Sequence, residues 1–171
     1  MIIDLRKDAA DIHNMLVETV AKYAAKSAHP KAGAYHKPVS AVGVTYDCGT
    51  AAQVTLHFDV RSDFEPDGTW THDSFSVLAR PEWEKAYDTL QHHELRLVLA
   101  DGSSRTLQAM AADETYVAVF GEMLVSLLKA ARETGVFAAL PKQLRCELCV
   151  EEVEGMFGWP VYEDRGKENL V

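Results

Sequence analysis

Cysteine is scarce in this 171-residue chain, with only Cys48, Cys146 and Cys149 present. Three is too few for a disulfide framework, and an odd count leaves one thiol over, so a reducing compartment is the simplest setting. No apolar run reaches the roughly 18 residues a membrane-spanning helix needs, so no membrane segment is expected. Positive charge is also in deficit, with 17 Lys and Arg against 26 Asp and Glu, a net of −9. Nucleic-acid binding normally rests on clustered Lys and Arg, so a DNA or RNA partner is not expected. There is no Gly-rich phosphate loop. Gly102 and Gly135 stand alone and suit a turn and a helix end, which leaves no nucleotide fingerprint. Met1-Ile2-Ile3-Asp4 opens with an early acid and no apolar stretch, so no secretory signal is expected and the expected location is cytoplasmic. Internal repeats and low-complexity tracts are missing as well.

What is present is ordinary globular material, 47% hydrophobic and 25% charged. The length fits one domain that buries about 70% of its unfolded surface. The charge is uneven. Residues 1–40 hold 6 basic and 4 acidic residues, and the remaining 131 hold 11 and 22, a net of −11. Such a field speeds encounter with a basic partner. It also does the plainer work of keeping a protein in solution.

Periodicity places the elements. Ile12, Met15, Leu16, Val20 and Tyr23 recur at helical spacing after a cap at Asp4 or Asp8, and His29-Pro30 closes that helix. The stretch to Pro38 reads as a loop. The period then drops to two: Val42, Val44 and Tyr46, a turn at Asp47-Cys48-Gly49-Thr50, then Val54, Leu56, Phe58 and Val60 between polar neighbours. This is a β-hairpin with one wet face. An acidic loop over 62–68 leads to a third strand over 71–78. Pro81 opens a short helix whose Trp83, Ala86, Tyr87 and Leu90 form one stripe. Leu95, Leu97 and Leu99 alternate, and Arg105 to Ala109 returns as a weaker strand. A long helix spans about 113–134, capped by Asp113 and stopped by Gly135. Leu144, Cys146, Leu148 and Val150 make one strand face, and Gly155 turns the chain into Met156–Tyr162. Strands in runs with few helices between them predict an α+β fold with an antiparallel sheet of about 5–7 strands. The first helix and the long helix near 113–134 pack on that sheet. The expected domain is 1–162, with a polar tail over 163–171.

Several spacings resemble chemistry and fall short of it. Cys146 and Cys149 form a CxxC pair, but alternation puts them on a strand, facing opposite ways about 10 Å apart, so Cys146 is expected in the core and Cys149 at the surface. Asp63-Phe64-Glu65-Pro66-Asp67-Gly68 begins like a calcium loop, yet Ser74 stands where the bidentate Glu belongs. His93-Glu94 lacks the second His of a zinc-protease helix. No metal and no cofactor are therefore expected. His57 and Asp59 share a strand face where they could hydrogen-bond, the base-and-orienter half of a hydrolytic site, but no nucleophile elbow accompanies them. Adjacent His72 and Asp73 point to opposite faces. What stands out is acidity. Asp59, Asp63, Glu65, Asp67 and Asp73 lie within 59–73 against the single base Arg61. Glu147, Glu151, Glu152 and Glu154 crowd the last strand. Like charges on one face cost stability unless solvated or met by a partner. Trp70 and Trp159, beside these segments, suit interface anchors.

The order of elements resembles the small acidic immunity proteins of bacterial polymorphic-toxin systems. The resemblance rests on the N-terminal helix, the Val42–Val60 hairpin, the Arg80-Pro81-Glu82-Trp83 helix start, and the long helix ending in Glu133-Thr134-Gly135-Val136-Phe137 before a final strand. It implies a non-catalytic inhibitor that binds one cognate toxin, and it carries no site residues with it. The expectation is thus a binding protein that neutralises a basic toxin domain. Its candidate contacts are Asp59, Asp63, Glu65, Asp67, Trp70, Asp73, Glu147, Glu151, Glu152 and Trp159. The alternatives are a homo-oligomeric module, such as a dimer pairing through a strand edge, and an enzyme with a site near His57 and Asp59.

Overall fold

The computed structural model of the chain describes residues 1–62, 69–110, 115–153 and 158–160. Asp63, Glu65, Asp67, Asp113, Glu154 and the tail over 163–171 lie outside these residues, as does Met156–Tyr162 apart from the backbone of 158–160. The expected acid loop, helix cap and tail therefore lie outside them too.

A short strand, β1 (Ile2–Asp4), runs directly into helix α1 (Leu5–Ser27). Asp4 caps that helix, accepting the Arg6 backbone N–H at 3.0 Å. The Arg6 side chain on the same carboxyl, with that N–H, lowers its pKa to about 2. Strands β2 (Val39–Asp47), β3 (Gln53–Asp59) and β4 (His72–Ala79) follow. Helix α2 (Pro81–Leu90) has Pro81 in its first turn. It leads to β5 (Leu95–Val98) and β6 (Ser104–Leu107), then α3 (Val117–Glu133), β7 (Lys142–Glu152) and β8 (Gly158–Pro160). None of the described helices is long and apolar enough to cross a membrane.

The fold is α+β, but the expected single antiparallel sheet is not what forms. The strands divide into a three-stranded sheet, β1-β5-β6, and a five-stranded sheet, β4-β3-β2-β7-β8. Both are mixed. Sheet neighbours consecutive in sequence pair antiparallel, whereas β1 with β5 and β2 with β7 pair parallel. Each parallel pair joins strands distant in sequence, so alternation, a local signal, does not reveal it. β1, at three residues, is too short to show alternation at all.

Helices α1 and α3 cover one face of the larger sheet. Val42, Val44, Tyr46, Val54, Leu56, Phe58, Leu148 and Val150 are buried beneath them. The Tyr23 ring of α1 lies 4.3 Å from that of Phe58, and Phe120 of α3 stacks on Tyr46 at 5.7 Å. The Tyr46 hydroxyl donates to the Val117 carbonyl, tying the sheet to the start of α3. Leu144, expected on this face, is 81% exposed. The cause is a register shift. β2 advances two positions from Val39 to Ala41 while its partner runs from Lys142 to Glu147, and the irregularity turns Leu144 outward.

Candidate functional site

The other face of the five-stranded sheet brings the polar residues together. Register sets them in three rows across β3, β2 and β7: Asp59, Ala41 and Glu147; His57, Gly43 and Cys149; Thr55, Thr45 and Glu151. Val77 of β4 extends the last row. This is the hairpin's expected wet face, yet its centre is dry. His57 and Thr55 are each only 4% exposed, and Asp59 is fully buried.

Trp70 lies over the middle row. A Cβ at Gly43 would meet its ring atoms at 2.1, 2.3 and 2.8 Å, so only glycine leaves room for the indole there. The ring stacks on His57, with centroids 5.2 Å apart and planes 20° from parallel. A glycine inside a strand pattern marks such a close approach, and Gly43 was the available sequence signal for this site.

His57 is held at both ring nitrogens. Nε2 lies 2.9 Å from Thr45 Oγ1. Nδ1 lies 2.7 Å from Asp73 Oδ1 and 3.0 Å from the Ser74 backbone nitrogen. Burial lowers the imidazole's pKa, against the opposite pull of Asp73. Ser74 sits in a bulge. β3 advances two positions from Leu56 to Phe58 while β4 runs four, from Ser76 to His72. Ser74 takes a positive φ of 47°, a region that β-carbon-bearing residues rarely adopt. The expected opposition of His72 and Asp73 holds. His72 turns to the helix side and stacks on Tyr35 at 4.3 Å, while Asp73 reaches His57 on the outer face.

The pairing of His57 with Asp59 does not form. Asp59 instead accepts the Arg61 backbone N–H at 2.7 Å, the Thr71 backbone N–H at 3.0 Å and the Arg61 guanidinium. Burial alone would raise its pKa, but these donors outweigh it and hold the carboxyl below its ordinary value. Asp59 is thus a spent internal acceptor and not a surface contact. Glu152 is likewise removed from the candidate surface. It is 4% exposed and lines a cavity of about 170 Å³ with Asp47, Glu84 and Asp88, at the end of the sheet where α3 begins. Of the acids nominated from sequence, Asp73 and Glu147 are exposed and Glu151 half-buried. Trp70 is half-buried among them. Trp159 pairs with Val150 through the β8 backbone.

Cys149 is a further correction. It faces the opposite way from Cys146, as alternation requires, but it is 5% exposed because the outer face is itself covered. Burial raises the thiol pKa of Cys146 and of Cys149 to about 12, and raises that of Cys48 well above its ordinary value. Among the described residues, no group of three or more His, Cys, Asp or Glu is placed to hold a metal ion. His92 and His93 are exposed at the end of α2.

The arrangement offers two kinds of chemistry. Its rim presents carboxylates beside an aromatic ring. Its centre strings a carboxylate, an imidazole and a hydroxyl in line. No family model matches the chain, and no curated protein or solved structure matches it either.

Proposed function

We propose that the chain is a non-catalytic binding protein, an immunity-like inhibitor whose partner is a basic toxin domain engaged through the outer face of the five-stranded sheet. One observation carries this reading. Asp73, Glu147 and Glu151 keep solvent access around a half-buried Trp70, whereas Asp59 and Glu152 are consumed inside the fold. An aromatic anchor rimmed by charge of one sign suits a complementary protein surface. The −11 balance of residues 41–171 adds the steering field.

The test is a tagged pull-down from the native cell, read by mass spectrometry at low and high salt. Recovery of one basic protein near one-to-one, released by salt, is the expected result. Glu147→Lys together with Glu151→Lys then slows association about tenfold or more and flattens its salt dependence. Binding unchanged by that pair sinks the acidic face.

A second reading has one observation in its favour, the line Asp73–His57–Thr45. It has the order of a hydrolytic triad, with Thr45 Oγ1 as nucleophile. It ranks lower because the triad needs the proton on Nδ1. There the Ser74 N–H already points at the same nitrogen.

A further inference from the structure

His57 Nδ1 faces two partners that it cannot satisfy together. The Ser74 N–H needs a lone pair on that nitrogen, while the Asp73 carboxylate needs a proton on it. We propose that His57 is a proton-operated latch on Asp73, and that it regulates the acidic face on which the binding reading rests. Neutral imidazole accepts the bulge N–H of Ser74, donates from Nε2 to Thr45, and leaves Asp73 to solvent or partner. Imidazolium donates to Asp73, draws that carboxylate down onto the sheet, and strips the Ser74 N–H of its acceptor.

Three features make the latch workable. Asp73 is 68% exposed, so it can swing away without unfolding anything. Ser74 is held at a positive φ, so losing its hydrogen bond releases a strained bulge rather than a relaxed strand. Trp70 stacked above shields the ring from water. Among the described residues, the charged and titratable groups around the ring are few. Asp73 faces it from β4, and Asp59 with Arg61 lies along its own strand. On β7, Cys149 stands beyond Gly43 in the same row, with Glu147 and Glu151 in the rows on either side. β2 contributes only the Thr45 hydroxyl. Burial favours the neutral ring, so acidification throws the switch. A basic partner and the imidazolium compete for Asp73. Linkage therefore makes acid weaken the complex and makes the partner lower the proton affinity of His57 by the same factor.

The test uses the full chain, alone and with oligolysine as the basic probe. Histidine ring nitrogens are followed by NMR from about pH 8 to about pH 5, together with amide exchange at Ser74. The expected neutral form carries its proton on Nε2 with Ser74 protected. On acidification, Ser74 exchange rises about tenfold or more in step with the His57 titration. Asp73→Asn lowers the proton affinity of His57 about tenfold and leaves Ser74 protected at neutral pH. A proton on Nδ1 at neutral pH, or Ser74 exchange indifferent to His57, overturns the latch. Oligolysine at low salt is expected to lower the His57 titration in the wild type and not in Asp73→Asn. Oligolysine that binds without moving His57 refutes the coupling and spares the acidic face. If oligolysine fails to bind while Ser74 still tracks His57, the acidic face is refuted and the latch stands on the free-chain result.

Discussion

Gly43→Ala isolates the closest approach on the outer face. Gly43 does not lie in the left-handed region, so alanine suits its backbone, and the only obstacle is the Trp70 ring. The added carbon would sit 2.1 Å from Cη2 and 2.3 Å from Cζ2, far inside contact distance. The indole is a rigid plane, so it must tilt or leave, and its stack on His57 is lost with it. Overpacking of this kind costs about 1–3 kcal/mol and an aromatic stack about 0.5–1.5 kcal/mol, so the substitution destabilises by about 2–4 kcal/mol. For a domain of this length that lowers Tm by roughly 4–16 °C. The decisive assay is a double-mutant cycle by thermal or urea unfolding. In a Trp70→Ala background the space is empty, and Gly43→Ala there changes stability by less than about 1 kcal/mol, toward greater stability because the unfolded chain is stiffened. The expected coupling energy is about 2 kcal/mol or more. An equal cost in both backgrounds refutes the claim that Trp70 is what glycine accommodates.

Two further outcomes follow from the buried polar groups. His57 and His72 both have pKa values lowered from 6.5, chiefly by burial, so the unfolded chain takes up protons that the folded one resists. Stability is therefore complete above about pH 6.5 and falls as acid is added below it, and a urea midpoint that rises between about pH 7 and about pH 5 contradicts this. Asp59→Ala removes the acceptor of two backbone N–H groups and one acceptor of the Arg61 guanidinium, which keeps its bond to the Thr69 carbonyl. The cost is about 2–3 kcal/mol, toward the lower side for a broken buried pair because Arg61 is 36% exposed and rehydrates. Glu147→Ala, at an exposed site, changes the same urea midpoint by less than about 0.5 kcal/mol equivalent.

Much of the architecture was legible residue by residue. Asp4, His29-Pro30 and the 3–4 spacing between them delimit α1 at Leu5–Ser27 to within a few residues. Pro81 and the Trp83 stripe locate α2, and the alternation over 42–60 locates the β2–β3 hairpin. The parallel partners were not legible, because nothing in the residues of β2 names β7 as its neighbour. Leu144 was misread because a register irregularity breaks the alternation just upstream of Cys146. At the candidate site the sequence supplied the components and missed their pairing. His57, Asp59 and Asp73 were all singled out, but nearness in sequence favoured Asp59 as the partner of His57. The bulge at Asp73–Phe75 carries Asp73 across to His57 instead.

The deeper reason is that the outer face is a second interior. Alternating apolar and polar residues normally mean one face in the core and one in water. In β3 the polar set is Gln53, Thr55, His57 and Asp59, the first half-buried and the other three buried. A buried polar group without a partner costs about 1–3 kcal/mol, so such a layer is stable only if its members are satisfied. Here His57 has Thr45 and the Asp73–Ser74 corner, and Asp59 has Arg61 and Thr71. Each of those partners comes from a different strand or from the chain beside it, so the polar layer ties β2, β3 and β4 together from above as the apolar core does from below. Charge counted along the sequence therefore overstates the charge shown to a partner. Of the two described acids within 59–73, Asp59 is locked inside and Asp73 is exposed, and at the end of β7 Glu152 points into the fold. Among the described residues, the acids that keep solvent access on this face are Asp73, Glu147 and Glu151, set around one indole. On the binding reading proposed above, specificity would rest on these three carboxylates, because Asp59 and Glu152 are already committed inside the fold.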